Sequence, residues 1–504
     1  MVNQLFYGDN LEVLRKHIKD ESVDLCYIDP PFNSKRNYNQ IYNNIGKEDQ
    51  AQAQAFIDTW IWDDQANQGL AEIQSNYLGH FTKQSIALIS GLIEVLGKGS
   101  LLAYLVSMTL RIAEIHRVLK LTGSFYLHCD PTASHYLKLV LDAIFCAQGG
   151  DFSNEIIWCY SIGGKSKNKF GRKHDVILFY TKSNKDIHTF NQKDAAIPRK
   201  PNSHMKVGID DQGREYQEKK DRKTGKIYRY YLDDGKIAED YWIDINALNR
   251  DDRERLGYPT QKPEALLERI IKASSNKNDV ILDAYCGCGT TVTVAQKLER
   301  QWIGIDITYQ SISLILKRLE DSFDPGILEQ IKLRGIPKDM ESAIALANRK
   351  DDLTRKEFEK WAILTYTNNR GIINAKKGSD KGIDGLVYFQ GDKTEPEKVI
   401  LQVKSGNVKS GDIRDLQGTM TLENAVIGIF ITLKEPTKEM LKTAKSAGIY
   451  QSKYMSQSCD KILIVTIREI LEAKKRLDIK LSFEVVKSAE KQKVVKSTQL
   501  ELEI

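Results

Sequence analysis

At 504 residues the chain is too long for one hydrophobic core, and two domains are expected. A hydrophobic fraction of 41% and a charged fraction of 28% describe an ordinary soluble globular protein, and the lack of a signal segment or membrane-length apolar run excludes an integral membrane protein. Net charge is +6 with a pI near 8.6, which permits a nucleic-acid partner without demanding one.

Seven cysteines, an odd number, several of them inside apolar runs, argue for reduced thiols in a cytoplasmic compartment rather than a disulfide framework. Cys286 and Cys288 have no C-x-x-C pair or histidine cluster beside them, so they read as small loop residues rather than metal ligands.

Residues 1–35 read as a helix and then an apolar strand that ends in Asp29-Pro30-Pro31-Phe32. An exocyclic amine on adenine or cytosine is a poor nucleophile, because its lone pair is delocalised into the ring. A carboxylate and a backbone carbonyl aimed at its hydrogens draw that pair back onto nitrogen as a bond to carbon forms. Asp29 and the Pro30 carbonyl are such acceptors. Two successive prolines fix φ and add no N–H, so the loop is stiff. Phe32 offers a face on which an extruded base can stack. The competing reading is an ordinary Pro-Pro turn after a strand.

Residues 36–100 are polar, with Trp60 and Trp62 in the middle, and fit either an insertion over the active site or a helical packing layer. The spacing of Leu105, Met108, Ile112, Ile115 and Leu119 predicts an amphipathic helix over 101–120. A strand over 123–128 and a further helix to Phe145 follow. His128 fits a satisfied structural histidine or a contact to the catalytic loop. Gly164-Lys165-Ser166 does not form a phosphate loop, because Cys159 stands where that pattern needs glycine, and no other stretch supplies an ATP-driven motor. Residues 181–258 are loop-rich, with Arg214, Lys219, Lys220, Arg222, Lys223 and Arg229 interleaved with tyrosines, as a DNA-contacting region or a solvated hairpin insertion would be.

Near residue 280 an apolar strand runs through Asp283-Ala284-Tyr285-Cys286-Gly287-Cys288-Gly289-Thr290, and a helix over 291–299 follows. The next strand ends in Asp306, roughly 20 residues past the loop, where a carboxylate meets ribose hydroxyls in nucleotide-type folds. The full G-x-G-x-x-G pattern is absent. An adenosine ligand without a pyrophosphate, S-adenosylmethionine, therefore fits better than a dinucleotide.

Asp29-Pro30-Pro31-Phe32, then Pro259-Thr260-Gln261-Lys262-Pro263, then the loop from Asp283, resemble the amino-directed DNA methyltransferases whose catalytic motif precedes the cofactor motif. Tyr7-Gly8-Asp9, the stretch from Gly123 to Asp130 and the stretch from Lys173 to Tyr180 belong to the same likeness, which spans about residues 3–320. It implies an α/β, Rossmann-like S-adenosylmethionine-dependent sheet, mostly parallel, with the strands ending at Asp29 and Asp283 side by side and helices on both faces. It also implies target recognition of double-stranded DNA by residues 181–258, and Lys262 and Pro263 at the methionine end of the cofactor. Asp at position 29 leans to adenine N6, with cytosine N4 as the alternative.

Residues 326–350 read as a connector closing a 1–325 domain, and residues 351–475 as a smaller α/β domain. There Asp384 stands at one strand's start, while Gln402 and Lys404 share a face of the neighbouring strand because strand side chains alternate. A carboxylate for a divalent cation beside a lysine suits phosphodiester cleavage, and Glu359 on the preceding helix is a further acid. These residues resemble the Mrr-like branch of the PD-(D/E)-x-K restriction nucleases. The likeness implies Mg²⁺ on Asp384 and Glu359, with Gln402 in the usual acidic position and Lys404 completing the catalytic set. Together the domains suggest a single-chain restriction-modification enzyme, with a non-cleaving DNA-binding module as the alternative for the second. A homodimer, or separate restriction or specificity subunits, stays open. Residues 476–504 form a mixed-charge tail.

Overall fold

The computed structural model describes residues 3–31, 36–40, 43–44, 47–48, 53–58, 60, 62–161, 167–168, 170–199, 205–249, 251–256, 258, 260–324, 326–348, 352–367, 371–373, 382–390, 396–451 and 458–477. It forms two compact units, the first of residues 1–38 and 56–335, the second built mainly on residues 336–504.

The first unit opens with β1 (Gln4–Tyr7), α1 (Asn10–His17) and β2 (Val23–Ile28), then α2 (Asp64–Ser75), α3 (Lys83–Leu96), α4 (Ser100–Val118), β3 (Leu119–Cys129) and α5 (Ser134–Ile144). Next come β4 (Asp151–Cys159) and β5 (His174–Thr181), a small antiparallel sheet of β6 (Lys206–Ile209), β7 (Glu215–Lys220) and β8 (Ile227–Tyr231), and β9 (Tyr241–Trp242). The unit closes with α6 (Glu264–Ser274), β10 (Val280–Asp283), α7 (Thr290–Lys297), β11 (Gln301–Asp306), α8 (Tyr309–Ser322) and β12 (Lys332–Arg334). Its main sheet has the order β9-β4-β5-β3-β2-β10-β11-β1-β12. The run β3-β2-β10-β11-β1-β12 is parallel, and β5 lies antiparallel to β3 and β4.

The hydrophobic pattern explains the placement. In β2 every side chain but Asp24 is buried, the near-continuous apolar run that a central parallel strand requires. Its neighbour β10 pairs Ile281 with Leu25 and Leu282 with Cys26, so the two acidic loops emerge side by side as expected. Leu70, Ile73, Ile89 and Leu92 join the same core as α4 and α5, which makes residues 64–96 a helical packing layer.

Three expectations shift. A four-residue strand, β1, precedes the first helix. Leu119, expected on the helix face, begins β3 instead and pairs with Val23 before a register shift. Within the expected connector 326–350, β12 pairs with β1 and belongs to the first sheet, while helix α9 (Met340–Ala347) belongs to the second unit.

The second unit continues with α10 (Asp352–Tyr366), β13 (Ile372–Ile373), β14 (Gly385–Gln390), β15 (Pro396–Lys404), α11 (Ser410–Leu422), β16 (Ile427–Thr432), α12 (Lys438–Ser446) and β17 (Ile462–Thr466), its sheet running β13-β14-β15-β16-β17. The tail beyond 477 lies outside the described residues. No helix among the described residues is long and apolar enough to cross a membrane.

One buried ion cluster ties the helical layer together. Glu114 on α4, with its side chain 1% exposed, accepts from Arg117 Nε at 2.7 Å, Arg15 Nε at 3.1 Å and His80 Nδ1 at 3.0 Å. Burial alone would raise this carboxyl, but the three partners outweigh it and hold it below the usual carboxylate range. A depressed carboxylate contributes stability above its unfolded value and loses that contribution as pH falls through the folded one. Glu114→Gln is expected to destabilise the first unit by about 1–3 kcal/mol at pH 7, with the deficit shrinking below pH ~4, as read from urea unfolding of the full chain at each pH.

Candidate active site

The loops at the carboxyl ends of β2, β10 and β11 bring three distant segments together, in the crevice where open α/β sheets hold ligands. Asp29 leaves the end of β2 with its side chain 17% exposed and accepts from Lys262 Nζ at 2.5 Å. Pro30 is buried and Pro31 half-buried. Phe32 lies outside the described residues, so no stacking face is placed.

Lys262 sits one residue before Pro263, which is buried at the N-terminal end of α6. Its carbonyl accepts from Thr290 Oγ1 at 3.3 Å. Thr290 is the first residue of α7, and its hydroxyl also accepts from Arg318 Nη1 at 3.1 Å. The same guanidinium donates to the Cys288 carbonyl at 3.2 Å and to Glu264 at 2.9 Å. Arg318 is buried and pins the glycine loop, α6 and α8 to one another. Through Thr290 and Lys262 that framework reaches Asp29.

The glycine loop follows from local sterics. Gly289 has φ +76°, and a Cβ there would lie 2.7 Å from Ile315, so a side chain would fail on both backbone strain and space. Gly287 N donates to Asp306 Oδ2 at 2.9 Å, and Asp306 Oδ1 accepts from Thr308 N at 2.9 Å. The Ala284 carbonyl accepts from Asn10 Nδ2 at 2.8 Å, and Arg111 binds both Asn10 and Asp9. Tyr285 N donates to Asp283 Oδ1 at 3.0 Å.

Asp283 is buried and Asp306 nearly so. Burial pushes the Asp283 carboxyl up to about 7, with the negative charges of Asp29 and Asp306 adding to the shift, and burial pushes Asp306 up to about 6. Among the described residues Asp283 has no cationic partner. The crevice therefore holds more negative than positive charge and suits a cationic ligand.

Beneath the Asp29 loop, a row of hydrogen bonds crosses three adjacent strands to the residue just past the end of a fourth. Tyr27 OH meets His128 Nδ1 at 2.9 Å, His128 Nε2 meets Asp175 Oδ2 at 3.1 Å, and Tyr160 OH donates to Asp175 Oδ1 at 3.0 Å. His128 is fully buried and bonded through both nitrogens, as a structural histidine is. Sequence reading missed Arg318, Arg111 and Asn10. The signal for Arg318 was available: a lone arginine among Ile312, Ile315 and Leu319 on the buried face of α8.

In the second unit Asp384 immediately precedes β14, and its Oδ2 accepts from Val403 N at 2.7 Å. That bond sets the carboxylate against β15 between Gln402 and Lys404. Gln402 is 9% exposed, and among the described residues its Oε1 has no hydrogen-bond partner; its Nε2 faces Gly382. Lys404 is half-buried at the strand's end. Glu359 lies half-buried on α10, a helix that packs against β15. Among the described residues no group of three or more His, Cys, Asp or Glu could by itself hold a metal ion.

A family model described as DNA methylase, of the N6/N4 type, matches residues 23–317, and one described as restriction endonuclease matches residues 350–451. The chain is 30% identical over 317 residues to the DNA adenine methyltransferase YhdJ of Escherichia coli, covering 63% of this chain and 82% of that one. It is 28% identical over 262 residues to the type II methyltransferase M.HpaI of Haemophilus parainfluenzae, covering 51% and 71%. With M1.MboII of Moraxella bovis it shares 31% identity over 206 residues, covering 39% and 74%. The chain belongs to the N6/N4 DNA methylase family and carries a restriction endonuclease domain after its methylase domain.

Proposed function

We propose that the first unit transfers a methyl group from S-adenosylmethionine to adenine N6 in duplex DNA. The observation that carries this reading is the meeting of Asp29, held by Lys262, with the glycine loop and Asp306 at adjacent strand ends. The cofactor fits this chain's residues through charge: its sulfonium and ammonium groups are cations, and the crevice around Asp283 is short of them. Gly287 and Gly289 let the loop backbone approach it, and Asp306 is placed for ribose hydroxyls. Lys262 and Pro263 flank its methionine end.

When bound, the cofactor supplies an electrophilic methyl group. Asp29 and the Pro30 carbonyl accept the two hydrogens of the target amine, with the amine taking the place that Lys262 Nζ holds on Asp29. Both acceptors raise electron density on the amine nitrogen as its bond to carbon forms, and the proton it loses departs by way of Asp29 to water. Such chemistry needs the base outside the stack, with Phe32 as its platform and residues 181–258 choosing the site. Adenine is favoured by aspartate at position 29 and by the stated base of the E. coli relative. Cytosine N4 is the second reading, since aspartate serves that base too. All seven cysteines are free thiols, consistent with a cytoplasmic enzyme.

We propose that the second unit is a Mg²⁺-dependent nuclease, which makes the chain a single-chain restriction-modification enzyme. A hard cation takes oxygen ligands, and the buried Gln402 Oε1, which no described residue hydrogen-bonds, supplies one that carboxylates alone do not, with Asp384 and with Glu359 as a further acid. Lys404 offsets phosphate charge. A DNA-binding module without cleavage is the alternative.

Asp29→Ala is expected to lower methyl transfer by about 10²–10³-fold or more while leaving cofactor affinity within a few-fold; nucleoside mass spectrometry gives the base, and only N6-methyladenine supports the adenine assignment. Cofactor binding should weaken as pH falls below about 7, by up to about tenfold per pH unit for each proton released, because a cationic ligand favours ionised Asp283. Calorimetry in buffers of different ionisation enthalpy should show proton release at pH 6.5 and almost none at pH 8.5. Nicking of unmethylated plasmid should require Mg²⁺ and vanish in Asp384→Ala and Lys404→Ala; persistence in both variants would remove these residues from the nuclease assignment.

A further inference from the structure

The small sheet β6-β7-β8 is electrically polarised along its strands. At its root, Arg214 is held by Asp233 and Asp234, each at 2.7 Å, and nearer the middle Arg229 is bound to Glu218 at 2.8 Å. Arg214 also lies over the Tyr231 ring and Arg229 over that of Tyr216. These arginines are neutralised within the sheet.

The opposite end is different. Lys219, Lys220, Arg222, Lys223 and Lys226 crowd the β7–β8 hairpin tip, all exposed, against the single carboxylate of Asp221. Among the described residues, no ion pair joins any of these five cations to a carboxylate. Asp221 turns inward: it accepts from Lys223 N at 2.9 Å, Thr224 N at 2.7 Å and Thr224 Oγ1 at 2.9 Å. Those bonds fix the turn, so the cations stand on a built support rather than a loose loop. Lys219 and Lys220 point to opposite faces, as neighbours on a strand must. Lys226 lies 5.2 Å from the Tyr228 ring centroid, and Ile227 and Tyr228 are 56% and 41% exposed.

We infer that the β7–β8 tip is a grip on the phosphate backbone of duplex DNA, setting affinity for DNA of any sequence, while the remainder of residues 181–258 chooses the site. The inference rests on the reading of the first unit as a DNA methyltransferase and assigns this hairpin a part within it. A two-stranded ribbon fits a major groove, whose two walls are lines of phosphates, and cations on both faces and at the end match those walls. Lysine ammoniums are point charges that bind phosphate without the planar fork that reads a base edge. A protein partner would need an acidic face of the same shape, whereas duplex DNA presents one on every turn.

The test compares the full chain with its Lys219→Gln/Lys220→Gln/Lys223→Gln/Lys226→Gln variant, by fluorescence anisotropy on random-sequence 30-bp duplexes across a KCl series. The slope of log K against log[KCl] is expected to fall in magnitude by about 3–4, with at least a tenfold affinity loss near 0.1 M salt. The set of sequences methylated should stay the same, and the dissociation constant for S-adenosylmethionine should be unchanged, which establishes that the variant is folded. An unchanged slope, with wild type binding duplex in a salt-dependent way, overturns the grip and leaves the methyltransferase reading intact. A changed set of methylated sequences also overturns it, because the tip would then read bases. Wild-type protein that neither binds nor methylates duplex DNA overturns both.

Discussion

A single lysine joins the two halves of the chemistry. Lys262 is bonded through its ammonium to Asp29 and through its carbonyl to the first residue of the helix behind the glycine loop. Three carboxylates, Asp29, Asp283 and Asp306, stand at the ends of adjacent strands, and the charges of Asp29 and Asp306 add to the burial that raises the affinity of Asp283 for protons. A positive side chain among them makes the arrangement tolerable without a ligand, and a cationic ligand makes it favourable. The binding crevice is thus selective by charge before any shape is considered.

The framework around this pocket is rigid for reasons that lie outside it. Arg318 spans three elements from a buried position, and Asn10 ties the first helix to the backbone of Ala284. Removing such a group leaves buried donors and acceptors unpaired as well as deleting a bond. The row Tyr27-His128-Asp175-Tyr160 does the same beneath the Asp29 loop, across three strands and the end of a fourth. Asp29 and the glycine loop therefore sit at strand ends braced by hydrogen bonds, and the prolines of the loop have little freedom to lose.

Much of this was legible in the sequence, and the parts that were not share a cause. Asp29 to Pro31 and the loop from Asp283 to Thr290 announce themselves because their chemistry is written in consecutive residues. The contacts of Thr290 with Lys262 and of Asn10 with Ala284 join residues 28 and 274 positions apart, and no local pattern encodes them. Strand β1, at four residues, is too short for its alternation to register. Leu119 fits a helical stripe as well as it fits a strand, and pairing with Val23 decided the matter. The basic character of residues 214–229 was plain, but which cations are neutralised depends on Glu218, Asp233 and Asp234 reaching across strands. In the second unit strand alternation set Gln402 and Lys404 on one face with Asp384 at the neighbouring strand's start, while Glu359 sits on a helix whose relation to them only packing determines.

The pairing of β1 with β12 has a consequence for how the chain is made. Gln4 pairs with Lys332, so β1 waits for residues that emerge more than three hundred positions later, and until then it exposes an unpaired edge. Long-range parallel pairing of this kind is slow to form, yet it can be complete while the nuclease segment is still being translated, which takes on the order of ten seconds or more at ~5–20 residues per second. The modifying half of each molecule thus has a head start over the half proposed to cut.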